Sequence, residues 1–176
     1  MSVPDSLRLS NQLCFALYAA TNAITRAYRR PLGQLGLTYP QYLVLLVLWE
    51  PERSAHTVKG LADALQLDAS TLTPLLKRLQ SAGFISRERD TRDERVVQVT
   101  LTAAGRALRT PVTAIQKVVA CRTALNDTEF AAFRSGLHQL AADLACATDA
   151  TSSAARTLPS TTLGKRWTVA DARDSH

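Results

Sequence analysis

Residues 42–49, Tyr-Leu-Val-Leu-Leu-Val-Leu-Trp, are apolar on nearly every side when wound into a helix. A helix of that kind has no face fit for water and must be enclosed by other protein elements. Eight residues fall far short of the roughly 20 needed to cross a bilayer, so the enclosure is a protein core. The segment's start is marked by Thr38-x-x-Gln41, a capping box with Tyr39 and Pro40 in the first turn, and its end by Glu50 and Pro51.

Ahead of it, Leu9, Leu13, Leu17, Ala20, Ile24 and Ala27 recur every three to four residues, giving a helix over residues 7–30 that stops at Pro31. After it, residues 58–65 form a short amphipathic helix with Leu61, Ala62 and Leu65 inward. The turn Gln66-Leu67-Asp68 leads into a second helix over residues 69–81, ended by Gly83. Two helices joined by a three-residue turn is the helix-turn-helix plan. Two β-prone stretches follow, residues 84–87 and 95–101, joined by a polar tip at 88–94. They form a hairpin wing.

Thr102 is the expected N-cap of a long helix over residues 103–122, bent locally by Pro111. Asn126-x-x-Glu129 is a further capping box, flanked by the staple pair Leu125 and Phe130, and opens a last helix to about residue 145. From 147 to 176 the composition turns to Ala, Ser, Thr and scattered charge without periodicity, which reads as a flexible tail containing the cluster Lys165, Arg166 and Trp167. The fold class is therefore mainly α with a small β-hairpin wing: a winged helix-turn-helix with N- and C-terminal helices around it. The chain of 176 residues suits one such domain, spanning residues 7–146, better than two.

A net charge of +6 favours a polyanionic partner. The first thirty residues do not read as a signal peptide, and no segment is long enough to span a membrane. The three cysteines, Cys14, Cys121 and Cys146, are widely spaced, and the histidines lie near none of them in sequence. That pattern argues against a metal site and against cofactor ligation by thiolates. An odd thiol count without a secretion signal points to a reducing, cytoplasmic compartment.

Positive charge concentrates just after the helix-turn-helix: Lys77, Arg78, Arg87, Arg89, Arg92, Arg95, Arg106 and Arg109. The second helix of the pair opens with Ser70, Thr71 and Thr73, small hydroxyls suited to base edges or phosphates at the end that enters a major groove. Lys77 and Arg78 are available for backbone contacts. In the wing, Asp90-x-Arg92-x-x-Arg95 points to Arg92 as a minor-groove finger oriented by Asp90. Double-stranded DNA is thus the expected partner.

The LTYPQYLVLLVL stretch, the DASTLTPLLKRLQSAGFISR run and the D-x-R-x-x-R wing, set between flanking helices, resemble the MarR family of transcriptional regulators over residues 7–146. The surroundings of Cys14 are similar to those of its organic-hydroperoxide-sensing repressors, known as OhrR, in which a reactive cysteine of the first helix is accompanied by tyrosines. Tyr18, Tyr28 and Tyr39 stand at the matching positions. The resemblance implies a homodimer held by the helices at 7–30, 103–122 and 126–146, with residues 58–101 on a pseudo-palindromic operator. It further implies oxidation of Cys14 by organic hydroperoxide and a resolving role for Cys121, as in the two-cysteine members. Cys146 or a small thiol is the alternative resolver.

The residues add a constraint of their own. Tyr18 shares a helix face with Cys14, but Tyr28 is fourteen residues on, about 21 Å along a continuous helix. Tyr28 and Tyr39 can therefore reach a sulfur only from a second subunit, where their hydroxyls would favour thiolate. Two other readings compete: a family relative released by a non-covalently bound phenolic or anionic ligand, and a thiol peroxidase with Cys14 as nucleophile.

Overall fold

The computed structural model describes residues 4–50, 56–91, 93 and 95–155, with side chains described as far as 147. Two 3-10 turns, Asp5–Leu7 and Leu9–Asn11, precede α1 (Leu13–Gly33), α2 (Tyr39–Leu48), α3 (Val58–Leu65) and α4 (Ala69–Ser81). The hairpin β1 (Ile85–Arg89) and β2 (Val97–Leu101) follows, then α5 (Ala103–Ala107), α6 (Arg109–Ala120) and α7 (Asp127–Ala155). The chain divides after Ala124 into two compact units, the second comprising Leu125 onward.

In the first unit α2 is enclosed as its composition requires. Val44 and Leu45 have no exposed surface, and they share a core with Leu32 of α1, Leu61 of α3, Leu72, Leu76 and Leu79 of α4, Ile85 and Val99 of the hairpin and Val112 of α6. The amide of Thr38 donates to Gln41 Oε1 at 2.8 Å, closing half of the capping box that starts α2. The end of α4 is equally definite. Gly83 lies at φ +76°, its N–H reaches the Gln80 carbonyl, and the Phe84 N–H reaches that of Leu79, a Schellman closure. The wing is antiparallel, with Ile85 opposite Leu101 and Arg89 opposite Val97.

Helix boundaries differ from the sequence reading at four places. The N-terminal helix starts at Leu13 rather than residue 7, because the preceding residues are held in 3-10 turns, in which Gln12 Nε2 donates to the Ser6 carbonyl at 2.6 Å. It also runs past Pro31 to Gly33, since a proline in the last turn costs one hydrogen bond and leaves the following N–H groups free to close. The long helix expected over 103–122 is two: it breaks at Leu108, so that Pro111 falls in the first turn of α6, where its missing N–H costs nothing. In the second unit α7 continues to Ala155, ten residues beyond the expected end, because an alanine-rich stretch needs no apolar stripe to stay helical. Residues 147–155 are thus helix rather than tail, and Lys165, Arg166 and Trp167 lie outside the described residues.

The junction between wing and α5 is tied at Thr102. Its hydroxyl donates to the Gly83 carbonyl at 2.6 Å and accepts from the Gly105 N–H at 3.0 Å, while Nε1 of Trp49, the residue that caps the end of α2, donates to the Gly105 carbonyl at 3.1 Å. Gly105 is buried, and a Cβ there would collide with the Phe84 carbonyl oxygen. Gly105→Ala is therefore expected to cost about 1–3 kcal/mol of stability, read as a lower urea midpoint by circular dichroism. A midpoint equal to the parent's would contradict this close approach.

Candidate functional site

On α4 the buried stripe Leu72, Leu76 and Leu79 leaves Ser70, Thr71, Pro74, Lys77 and Arg78 exposed along the opposite face. Asp68 precedes the first turn as N-cap and makes no side-chain capping bond, and the N–H groups of Thr71 and Leu72 close on its carbonyl at 3.0 Å. Lys77 and Arg78 have no ion-pair partner among the described residues. Thr73 differs from its sequence reading: it is half-buried, and its hydroxyl donates to the Ala69 carbonyl at 2.7 Å. That bond commits the Thr73 proton to its own helix.

In the wing, the Asp90 N–H closes on the Val96 carbonyl at 2.8 Å, and Gln98 Nε2 donates to Asp90 Oδ2 at 3.0 Å. The Arg95 N–H is held by Asp93 Oδ1 at 3.0 Å, with the Arg95 side chain exposed. Arg92, the expected groove finger, lies outside the described residues. In the wing the sequence reading gave no special place to Arg87, whose half-buried side chain keeps Nε enclosed with no hydrogen-bond partner among the described residues.

The thiols and phenols fall into separate places. Cys14 is exposed at the second position of α1, and Tyr18, 64 % exposed, stands one turn further on. Tyr28, near the other end of the same unbroken helix, is about 21 Å away along the axis. It meets Tyr39 and Tyr42 of α2, with ring centroids 5.3 to 5.8 Å apart. Tyr42 is only 4 % exposed, and its hydroxyl accepts from Gln116 Nε2 of α6 at 2.7 Å. Burial, followed by the neighbouring Tyr42, pushes Tyr28 well above the ordinary tyrosine value, and Tyr39 rises for the same two reasons. Both phenols are therefore neutral O–H donors at physiological pH. Cys121 caps α6 and is exposed, as is Cys146 on α7.

One chain thus brings Tyr28 and Tyr39 together but keeps both from Cys14. Sequence reading missed Tyr42 and Gln116. The Tyr39-x-x-Tyr42 spacing places two phenols on one face of α2, a signal that was available, whereas Gln116 is 74 residues away.

Each unit also leaves apolar surface uncovered. In the first, Leu13, Tyr18 and Ile24 of α1 and Val118 of α6 are exposed. On α7, Phe130, Phe133, Leu137, Leu140 and Leu144 repeat at alternating spacings of three and four, the seam of a helix that packs lengthwise on another.

The family model described as transcriptional regulator SarA/Rot matches residues 26–110. The organic hydroperoxide resistance transcriptional regulator of Bacillus subtilis is 49% identical over 105 residues, which is 60% of this chain and 70% of that protein. The chain belongs to the OhrR type of MarR-family transcriptional regulators. The regulator TtmR of Methylorubrum extorquens is 55% identical over 105 residues, 60% of this chain; the match spans about half of that relative's length, 53%. Among solved structures, reduced AbfR bound to DNA is 34% identical with a TM-score of 0.68, covering 82% of this chain and 97% of that one. The disulfide-formed AbfR matches with a TM-score of 0.55. The architecture of this MarR-family chain is thus shared with a regulator solved on DNA.

The raised pKa values have a thermodynamic counterpart. Because the folded state favours the neutral phenols, their stabilisation is complete below about pH 10, the ordinary tyrosine value, and is lost as pH climbs beyond it. Stability measured by denaturant unfolding is expected to fall as pH rises above about 10, and to fall less steeply in Tyr28→Phe. Superimposable curves for parent and Tyr28→Phe would contradict the burial of this phenol.

Proposed function

We propose that this regulator is a dimeric, cytoplasmic repressor that senses organic hydroperoxide through Cys14 and releases its operator when that sulfur is oxidised. The observation that carries the reading is the exposed Cys14 in the first turn of α1, one turn from Tyr18, in a chain 49% identical to an organic hydroperoxide regulator. Tyr28 and Tyr39, neutral donors held together at the far end of α1, complete the site when the partner subunit's α1 runs across this one.

Chemically, the Cys14 sulfur attacks the terminal oxygen of the hydroperoxide. The O–O bond breaks, sulfenic acid forms at Cys14, and the alkoxide leaves to be protonated as alcohol. A thiol, Cys121 in this reading, then attacks the sulfenic sulfur, forming a disulfide and expelling water as the sulfenic oxygen takes up protons. Cys121 reaches Cys14 only if the Cα atoms come within about 7 Å, so disulfide formation requires helix movement between subunits. Each equivalent of oxidant is consumed once, and the protein is a sensor rather than a turning-over peroxidase.

On DNA, the two α4 helices enter successive major grooves about one helical turn apart, as two-fold symmetry requires. Ser70 and Thr71 face the bases, and Lys77 and Arg78 face the phosphates. In this reading Arg92 and Arg95 are the wing residues that contact the flanking minor grooves. The uncovered apolar faces of α1 and α7 supply the dimer contact.

The test is a gel shift on an intergenic operator fragment, with cumene hydroperoxide, beside a non-reducing protein gel. Oxidation is expected to weaken operator binding roughly 10–100-fold and to give a dimer-sized band. Cys14→Ser is expected to bind DNA normally and to show neither change. Release or cross-linking that survives in Cys14→Ser would move the sensor to another residue.

A further inference from the structure

The sensor phenols are not independent side chains. Tyr28 comes from α1 and Tyr39 from α2, and what joins them is Tyr42, whose ring stacks on Tyr28 at 5.3 Å and lies 5.8 Å from Tyr39. The Tyr42 oxygen accepts from Gln116 Nε2 of α6 at 2.7 Å. Tyr28 and Tyr39 are half-exposed, whereas Tyr42 is enclosed. A flexible, exposed phenol makes a poor donor to a sulfur, because orienting it costs rotamer entropy at each encounter. A buried phenol fixed from behind by an amide on a third helix removes that freedom from both of its neighbours.

We infer that Tyr42, anchored by Gln116, is the positioning residue of the peroxide sensor: it holds Tyr28 and Tyr39 in the arrangement that meets the partner's Cys14. This rests on the sensing function proposed above. Tyr42 itself does not touch the sulfur. It acts by setting the direction of two hydroxyls, and the anchor reaches α6 five residues before Cys121. The sensor phenols and the helix that carries the expected resolving thiol are therefore braced by one hydrogen bond. Neither Tyr42 nor Gln116 lies on the exposed face of α4 or in the wing, so DNA contact does not require them.

The test is the rate of Cys14 oxidation by cumene hydroperoxide, followed by sulfenate trapping and mass spectrometry, alongside operator affinity of the reduced protein. Tyr42→Phe and Gln116→Leu are each expected to slow oxidation roughly tenfold, the size of one lost neutral hydrogen bond. The double variant is expected to be no slower than either single one, because both remove the same link. Gln116→His, whose Nε2–H reaches about as far, is expected to return the rate to within about twofold of the parent. Reduced operator affinity is expected to stay within about twofold in all four. Should Tyr42→Phe not fold, the Gln116 variants alone decide. A parent-like rate in Tyr42→Phe or Gln116→Leu, or operator affinity that falls in step with the rate, would overturn the positioning role. A parent protein whose Cys14 is not oxidised at all would end the sensing reading and this inference together.

Discussion

Enclosure of α2 is the constraint from which the rest of the first unit follows. A helix apolar all round can be stable in water only if neighbours cover each side, and here α1, α3, α4, the hairpin and α6 all contribute to one core around it. Because α4 belongs to that cover, its three leucines fix which face is left exposed. Because α1 and α6 belong to it too, Tyr28, Tyr39, Tyr42 and Gln116 converge at one side of the same helix. The exposed face of α4 and the phenol cluster are thus two consequences of burying one hydrophobic segment.

Local chemistry made much of this legible. The bounds of α3 and α4 could be read from the residues, since the turn at Gln66-Leu67-Asp68, Gly83 and the leucine spacing specify start, stop and buried face together. The reciprocal bonds of Asn126 and Glu129, each 2.9 Å, are those a capping box predicts. What could not be read depended on competition between local rules. Pro111 was placed as a kink inside one helix, but a break at Leu108 lets it serve as a first-turn residue, which is cheaper than a lost hydrogen bond in mid-helix. Likewise the end of α7 could not be found by periodicity, because alanine is helical without an apolar partner.

The candidate site was half legible for a similar reason. Helical arithmetic alone separates Cys14 from Tyr28, and the unbroken α1 keeps them apart. The three-tyrosine cluster required knowing that α1 and α2 pack side by side, and its anchor required a contact between residues 74 apart. Spacing rules reach one or two turns; they cannot reach across a core. In the wing, Asp90 could be expected to brace the tip, but its bond from Gln98 depends on the hairpin register.

A mixed dimer reports whether sulfur and phenols act across two subunits. One protomer carries Cys14→Ser with its tyrosines intact; the other keeps Cys14 but carries Tyr28→Phe and Tyr39→Phe. If the site is shared, the surviving thiol in this heterodimer meets intact phenols from its neighbour and reacts with cumene hydroperoxide at the parent rate, while the Tyr28→Phe, Tyr39→Phe homodimer reacts slowly. A heterodimer as slow as that homodimer would mean that each thiol depends on the phenols of its own chain, and would contradict a sensor shared between subunits.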